Sequence, residues 1–158
     1  MSNIKFKTKK SWLLYVLACE DNVFYIGLTT CLPHRLFEHC FRAKRASHAT
    51  LNHPPIDLIQ VIDLGNMPYW KAELYEDAKT IICMEKYGID YCFGGRYCKL
   101  EQKEPYRNMR SGMYPCSEEW LKTMHRYAQK LVYLPKRKKY SNFRGNEWKI
   151  FEWDSGGD

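Results

Sequence analysis

The spacing of hydrophobic and polar positions changes several times along the chain, and each change marks an element. Trp12 to Ala18 is a short, mostly apolar run closed by the turn-like Glu20-Asp21-Asn22, and Val23 to Leu28 follows as a second run. The pair predicts a β-hairpin. Thr29 and Thr30 can cap a following helix, Pro33 is tolerated in its first turn, and Leu32, Leu36 and Ala43 keep helical spacing. Arg35, Glu38, His39, Arg42 and Arg45 then fall on the polar side of that helix. Ser47 to Pro55 reads as a loop. Ile56 to Leu64 is apolar on both faces, which predicts a central strand, broken by Gly65-Asn66-Met67-Pro68. Leu74, Ala78, Ile81 and Met84 predict an amphipathic helix from Tyr69 to Tyr87, with Gly88 at its left-handed stop position.

This ββαβα order predicts an α+β fold: a small central β-sheet, made of the hairpin and a third strand, flanked by helices. Residues 11–88 form the expected module. Residues 89–158 form a C-terminal extension packed on or flanking it, in which Gly94-Gly95 signals a turn. Ser117-Glu118-Glu119 can start a further helix carrying Trp120, Leu121, Met124, Tyr127, Ala128 and Leu131, ended by Pro135. At 158 residues the chain has room for one ordinary domain, and 45% hydrophobic against 27% charged residues is enough apolar content for a core.

Charge narrows the partners. Twenty-five basic and 18 acidic side chains leave a net +7, which favours anionic partners without choosing among nucleic acid, membrane surface and acidic protein. No stretch approaches the roughly 20 apolar residues needed to span a bilayer, so no membrane role is expected. The first seven residues interleave charge with apolar side chains, unlike a secretory signal. Seven irregularly spaced cysteines then read as reduced thiols, and an intracellular location is expected. Cys83, Cys92, Cys98 and Cys116 with His125 lack paired Cys-x-x-Cys spacing, so a structural zinc is not expected.

Within the hairpin and first helix, Leu13-Leu14-Tyr15, then Tyr25-Ile26-Gly27, then Thr29, Leu32, Arg35 and His39 stand in an ordered series. This series resembles the GIY-YIG nuclease module. Its second half is intact, whereas Leu13 and Leu14 replace the first Gly and Ile. The resemblance covers roughly residues 11–88 and implies a metal-binding glutamate on the helix after the third strand. Ala72-Glu73-Leu74-Tyr75-Glu76 places Glu76 there in preference to Glu73, one turn earlier. The downstream asparagine of many members has no assigned counterpart.

The same residues suit phosphodiester hydrolysis, which must activate water, neutralise charge growing on phosphate and help the leaving oxygen depart. One carboxylate, Glu76, suits a single Mg²⁺ or Mn²⁺ that keeps most of its waters. Arg35 offers a planar fork of donors that matches phosphate oxygens. Tyr15 and Tyr25 can position the water, and the resemblance makes Tyr15 the general base. His39, one turn after Arg35, can hold Tyr15 or accept its proton. Gly27 reads as architectural.

The resulting expectation is a metal-dependent endonuclease acting on DNA, with RNA left open as a substrate. Tyr15, Tyr25, Arg35, His39 and Glu76 form its catalytic set, and Glu76 is its metal ligand. Arg42, Lys44, Arg45, Lys136, Arg137, Lys138 and Lys139 are candidate phosphate contacts. The alternative is a nucleic-acid-binding protein on a nuclease-like fold that does not cut. A third class, a module binding acidic protein, would be favoured by indifference to nucleic acid at low salt.

Overall fold

The computed structural model describes residues 8–40, 47–98 and 118–136. Strand β1 (Lys9–Cys19) turns through Glu20–Asn22 into β2 (Phe24–Thr29). Asp21 and Asn22 take positive φ in that turn, a conformation their short polar side chains tolerate. Thr29 accepts the Cys31 N–H at 3.0 Å, and the Cys31 carbonyl takes the Arg35 N–H. Together they open helix α1 (Leu32–Cys40). A short helix α2 (His48–Asn52) follows, capped by the Ser47 side chain on Thr50 N–H. Strand β3 (Pro55–Pro68) leads directly into α3 (Tyr69–Tyr87), then comes a short strand β4 (Cys92–Gly94), and later α4 (Glu118–Leu131).

The four strands make one mixed sheet in the order β3-β1-β2-β4, and the fold is α+β. β1 is antiparallel to both β2 and β3, while β4 runs parallel to β2. Strand alternation sends Leu14 and Val16 of β1 to one face, with Ile26, Ile62, Ile81, Met84, Met124 and Leu131. It sends Tyr15 and Leu17 to the other, with Tyr25, Leu32, Leu36, Leu58 and Val61. Helices α3 and α4 therefore cover one face, and α1 and α2 the other. Among the described residues, no helix is long and apolar enough to cross a membrane.

Four local expectations are corrected. The third strand is an edge strand, not a central one: its run is apolar on both faces because helices cover both sides of the sheet, not because it has strand neighbours on both edges. Nor does the strand stop at Gly65. It runs to Pro68 because extra residues at Ile59 and Leu64, unpaired between Leu58 and Gln60 and between Asp63 and Gly65, bend it as bulges. Its outer edge is met by the chain after α4, where Asp63 N–H donates to Pro135 O at 2.9 Å. Within the Ser47–Pro55 loop lies α2, since Ser47 and Thr50 supply a cap that a turn reading overlooks. Gly88 ends α3 with φ 106° and ψ 144°, a positive-φ exit outside the left-handed helical region.

The predicted helices at Tyr69–Tyr87 and after Ser117 are present, and α4 packs on α3.

Candidate active site

The hairpin register builds the first half of the site. Tyr15 pairs with Gly27 and Leu17 with Tyr25, so the two tyrosines lie on one face, with ring centroids 6.2 Å apart. A side-chain carbon at Gly27 would collide with the Tyr15 ring and hydroxyl, so the ring can lie over β2 only because position 27 carries none. Both tyrosines are buried, at 0% and 5% exposure.

Helix α1 supplies the second half. Leu32 and Leu36 anchor it to the apolar face. That seating turns Arg35 and His39, one turn apart, toward the phenols. The sequence placed Glu38 and His39 on the polar side of the helix, yet both are buried, and His39 has no exposed surface. Position 39 lies close enough in angle to the Leu32–Leu36 stripe to be carried inward. Its Nε2 lies 2.8 Å from Tyr15 Oη, and its Nδ1 lies 2.8 Å from Thr50 Oγ1.

Burial, followed by the repulsion of Arg35, holds the His39 pKa down at about 3. Burial, followed by the neighbouring Tyr25, pushes Tyr15 well above the usual phenol value despite the opposing Arg35 cation. The usual phenol value is about 10. The neutral Tyr15–His39 pair is therefore favoured over phenolate and imidazolium. In the resting protein His39 holds the tyrosine and does not take its proton.

Arg35 is shared. Its Nη1 donates to Glu38 Oε1 at 3.3 Å, and its guanidinium is within hydrogen-bonding reach of both phenols. Burial would lower its pKa, but the charge the two phenols can carry holds it above the ordinary arginine value. Burial likewise raises Tyr25, as does the nearby Glu76.

Helix α3 brings Glu76, 7% exposed, toward this group. Burial raises the Glu76 pKa to about 8, with Asp77 and Glu73 adding to the effect, against a hydrogen bond from Gly95 N–H and the pull of Arg35. Glu73 is more exposed, lies 3.6 Å from Arg96 Nη2 and interacts with the Tyr69 hydroxyl. The neighbouring Asp77, fully buried, accepts Arg96 N–H at 2.9 Å and Arg96 Nε–H at 2.7 Å. Two consecutive carboxyls of α3 thus grip two consecutive amides of the Gly95-Arg96 turn. A side chain at Gly95, where φ is 51°, would strike Asp77 Oδ1.

Sequence reasoning did not single out Thr50, Asp77 or Tyr69. Tyr69 starts α3 with its pKa raised by burial and by Glu73 and Glu76. The Ser47-x-x-Thr50 spacing and the Gly94-Gly95 pair were the available signals for the first two. Of the candidate phosphate contacts, Lys136 directs its ammonium at Val132 O and Leu134 O, 2.8 Å from each. Arg42, Lys44, Arg45, Arg137, Lys138 and Lys139 lie outside the described residues. Of the cysteines weighed for zinc, Cys83 and Cys92 are buried and hydrogen-bonded to each other, Cys98 donates to Gly95 O, and Cys116 lies outside the described residues. His125 is engaged with Glu85 Oε1 at 2.6 Å.

No family model matches the chain, and no solved structure matches it. UPF0213 protein DP2720 of Desulfotalea psychrophila is 33% identical over 46 residues, which is 29% of this chain and 42% of that protein. The chain thus spans less than half the length of the curated relative it matches, and the overlap amounts to a distant family link.

Proposed function

We propose that the chain is a divalent-metal-dependent endonuclease that hydrolyses DNA phosphodiester bonds at Tyr15, Tyr25, Arg35, His39 and Glu76. The observation that carries the reading is a buried carboxyl close enough to interact electrostatically with a guanidinium and two phenols, one of the phenols held by a neutral histidine. The distant likeness to a UPF0213 protein fits a nuclease-like family and leaves metal dependence and cleavage open.

The donor set tests which ion suits the site. Among the described residues no three His, Cys, Asp or Glu side chains are grouped as ligands. Zinc, which takes three or four protein ligands, is a poor match. A lone carboxyl fits Mg²⁺ or Mn²⁺, ions with oxygen ligands that retain waters. Burial and the neighbouring Asp77 and Glu73 carboxyls raise the Glu76 pKa against the pull of Arg35, a setting in which a bound cation would favour the ionised form. Bound at Glu76, such an ion would neutralise phosphate charge and acidify a coordinated water.

The chain's own residues supply the rest. Arg35, held in place by Glu38 and the phenols, presents donors to the phosphate oxygens and stabilises the charge that grows on them. Tyr15 orients the attacking water and serves as its base, passing its own hydroxyl proton to His39 Nε2 as it takes the water's, a transfer that requires cationic neighbours to bring its raised pKa down. Tyr25 flanks it, and His39 keeps the Tyr15 hydroxyl fixed.

The test is incubation of the protein with single-stranded, duplex and branched DNA and with RNA, with Mg²⁺, Mn²⁺ or EDTA. Metal-dependent cutting of DNA that Glu76→Gln abolishes is the expected result. Tight binding of these substrates without cutting under any condition would replace the reading with that of a non-cleaving nucleic-acid-binding protein.

A further inference from the structure

We propose that Thr50 is a positioning residue that seats the single ring proton of His39 on Nδ1, leaving Nε2 to accept the Tyr15 hydroxyl. The seat of the proton follows from the hydrogen bonds alone, whereas its consequence for cleavage rests on the nuclease reading above.

A neutral imidazole has one N–H donor and one lone-pair acceptor, and which nitrogen is which depends on what each one faces. Here each ring nitrogen faces a hydroxyl at 2.8 Å, and a hydroxyl can play either part. The ambiguity is resolved at both ends of the chain of bonds. At the Thr50 end, Oγ1 lies 3.2 Å from the backbone oxygen of Ser47, which can only accept. Ser47 Oγ, 3.0 Å from Thr50 Oγ1, is a second possible acceptor; with the threonine proton on either oxygen of Ser47, Oγ1 offers a lone pair to Nδ1–H. At the Tyr15 end, the phenol oxygen already receives the Arg35 guanidinium, which has donors and no acceptor. Tyr15 has no exposed surface, so its own proton needs an acceptor within the protein, and Nε2 is there.

Both ends therefore impose one direction, from Tyr15 O–H to Nε2, then from Nδ1–H to Thr50, then from Thr50 O–H to Ser47. The opposite tautomer would aim two donors at the tyrosine oxygen and leave its proton without a partner in a buried place. Thr50 is itself fixed, because its backbone N–H donates to Ser47 Oγ at 3.0 Å in the cap of α2. The five-residue helix α2 thus carries one hydroxyl to the back of the histidine.

The experiment is a long-range ¹H–¹⁵N spectrum of the full chain labelled at histidine, with the His39 signals assigned by their loss in His39→Gln. Wild type and Thr50→Ser should show a protonated Nδ1 and an unprotonated Nε2. Thr50→Val, which keeps the shape and removes the hydroxyl, should shift the population toward protonated Nε2. Single-turnover cleavage should fall about 10- to 100-fold in Thr50→Val, the usual effect of losing such an outer partner, and recover in Thr50→Ser. A wild-type His39 protonated on Nε2, or a Thr50→Val protein that keeps the proton wholly on Nδ1, would overturn the inference. Should Thr50→Val fail to fold, the wild-type spectrum still decides. A wild type that cuts nothing removes the nuclease reading while the tautomer remains measurable, so the two failures can be told apart.

Discussion

Tyr15 and Gly27 face each other across β1 and β2, and the tyrosine ring fills the space that any side chain at position 27 would need. Gly27→Ala should therefore push the ring away from β2. Overpacking of this kind costs about 1–3 kcal/mol, readable as a lower midpoint of denaturant unfolding. The displaced ring should also lose its 2.8 Å contact with His39. Cleavage is then expected to fall further than stability at temperatures where the variant stays folded. An alanine variant of wild-type stability would mean that β2 can shift to make room.

Arg35 contacts both phenols and Glu38, so its removal has a structural and a chemical part. Arg35→Ala should lower single-turnover cleavage by about 10²–10³, the usual effect of losing one donor to developing charge, and should weaken substrate binding far less. Arg35→Lys should recover little, because an ammonium cannot reach two phenols and a phosphate as a planar fork does. Full activity with lysine would reduce the residue to a generic positive charge.

What the sequence revealed and what it hid divide along physical lines. β1 and β2 were legible as apolar runs either side of a turn signal, and α3 and α4 because helical spacing runs for several residues on faces that become buried. The edge position of β3 was not, since a strand covered by helices on both faces has the same apolar pattern wherever it stands in the sheet. β4 is three residues long, too short for any period, and its pairing with β2 is fixed by contacts far along the chain. The signature residues could be numbered from their order. Yet the burial of His39, its link to Thr50 and the grip of Asp77 on the Gly95-Arg96 turn depend on how α1, α2 and α3 seat against the sheet.

Asp77 separates charge from hydrogen bonding. Burial raises its pKa to about 6, against the pull of Arg96, so near neutrality the carboxylate is an expensive way to hold the turn. Asp77→Asn keeps an acceptor for Arg96 N–H and removes the buried charge, but turns its amide donors toward Arg96 Nε–H, and should cost less than Asp77→Ala. Asp77→Ala strands that amide and should cost about 1–3 kcal/mol. Chemical denaturation of the two variants at pH 7 checks the order. Equal losses would show that the ion pair with Arg96, not the backbone bond, secures the turn.

If Glu76 holds the proposed cation, stability and cation binding should depend on pH in opposite senses. Its folded pKa of about 8 lies above its ordinary 4.5, so the folded state binds the extra proton between these values. Stability from this group is complete below pH 4.5 and is lost as pH rises through 8. Two other groups titrate nearby: Asp77, raised to about 6, acts in the same sense at lower pH, and His39, lowered from 6.5 to about 3, adds stability as pH rises to 6.5. The interval from pH 6.5 to 8 therefore isolates Glu76 within this set. Across it, wild type should lose about 1–2 kcal/mol relative to Glu76→Gln, which cannot ionise. A Mg²⁺ or Mn²⁺ ion held by the carboxylate must displace that proton, so apparent cation affinity should rise up to about tenfold per pH unit and level off once the group is ionised. Calorimetric titration with each ion, alongside denaturant unfolding of both proteins at several pH values, measures the two trends. Parallel stability profiles for wild type and Glu76→Gln would mean that the carboxyl is better solvated than its burial implies. A cation affinity independent of pH, or unchanged in Glu76→Gln, would place the ion elsewhere.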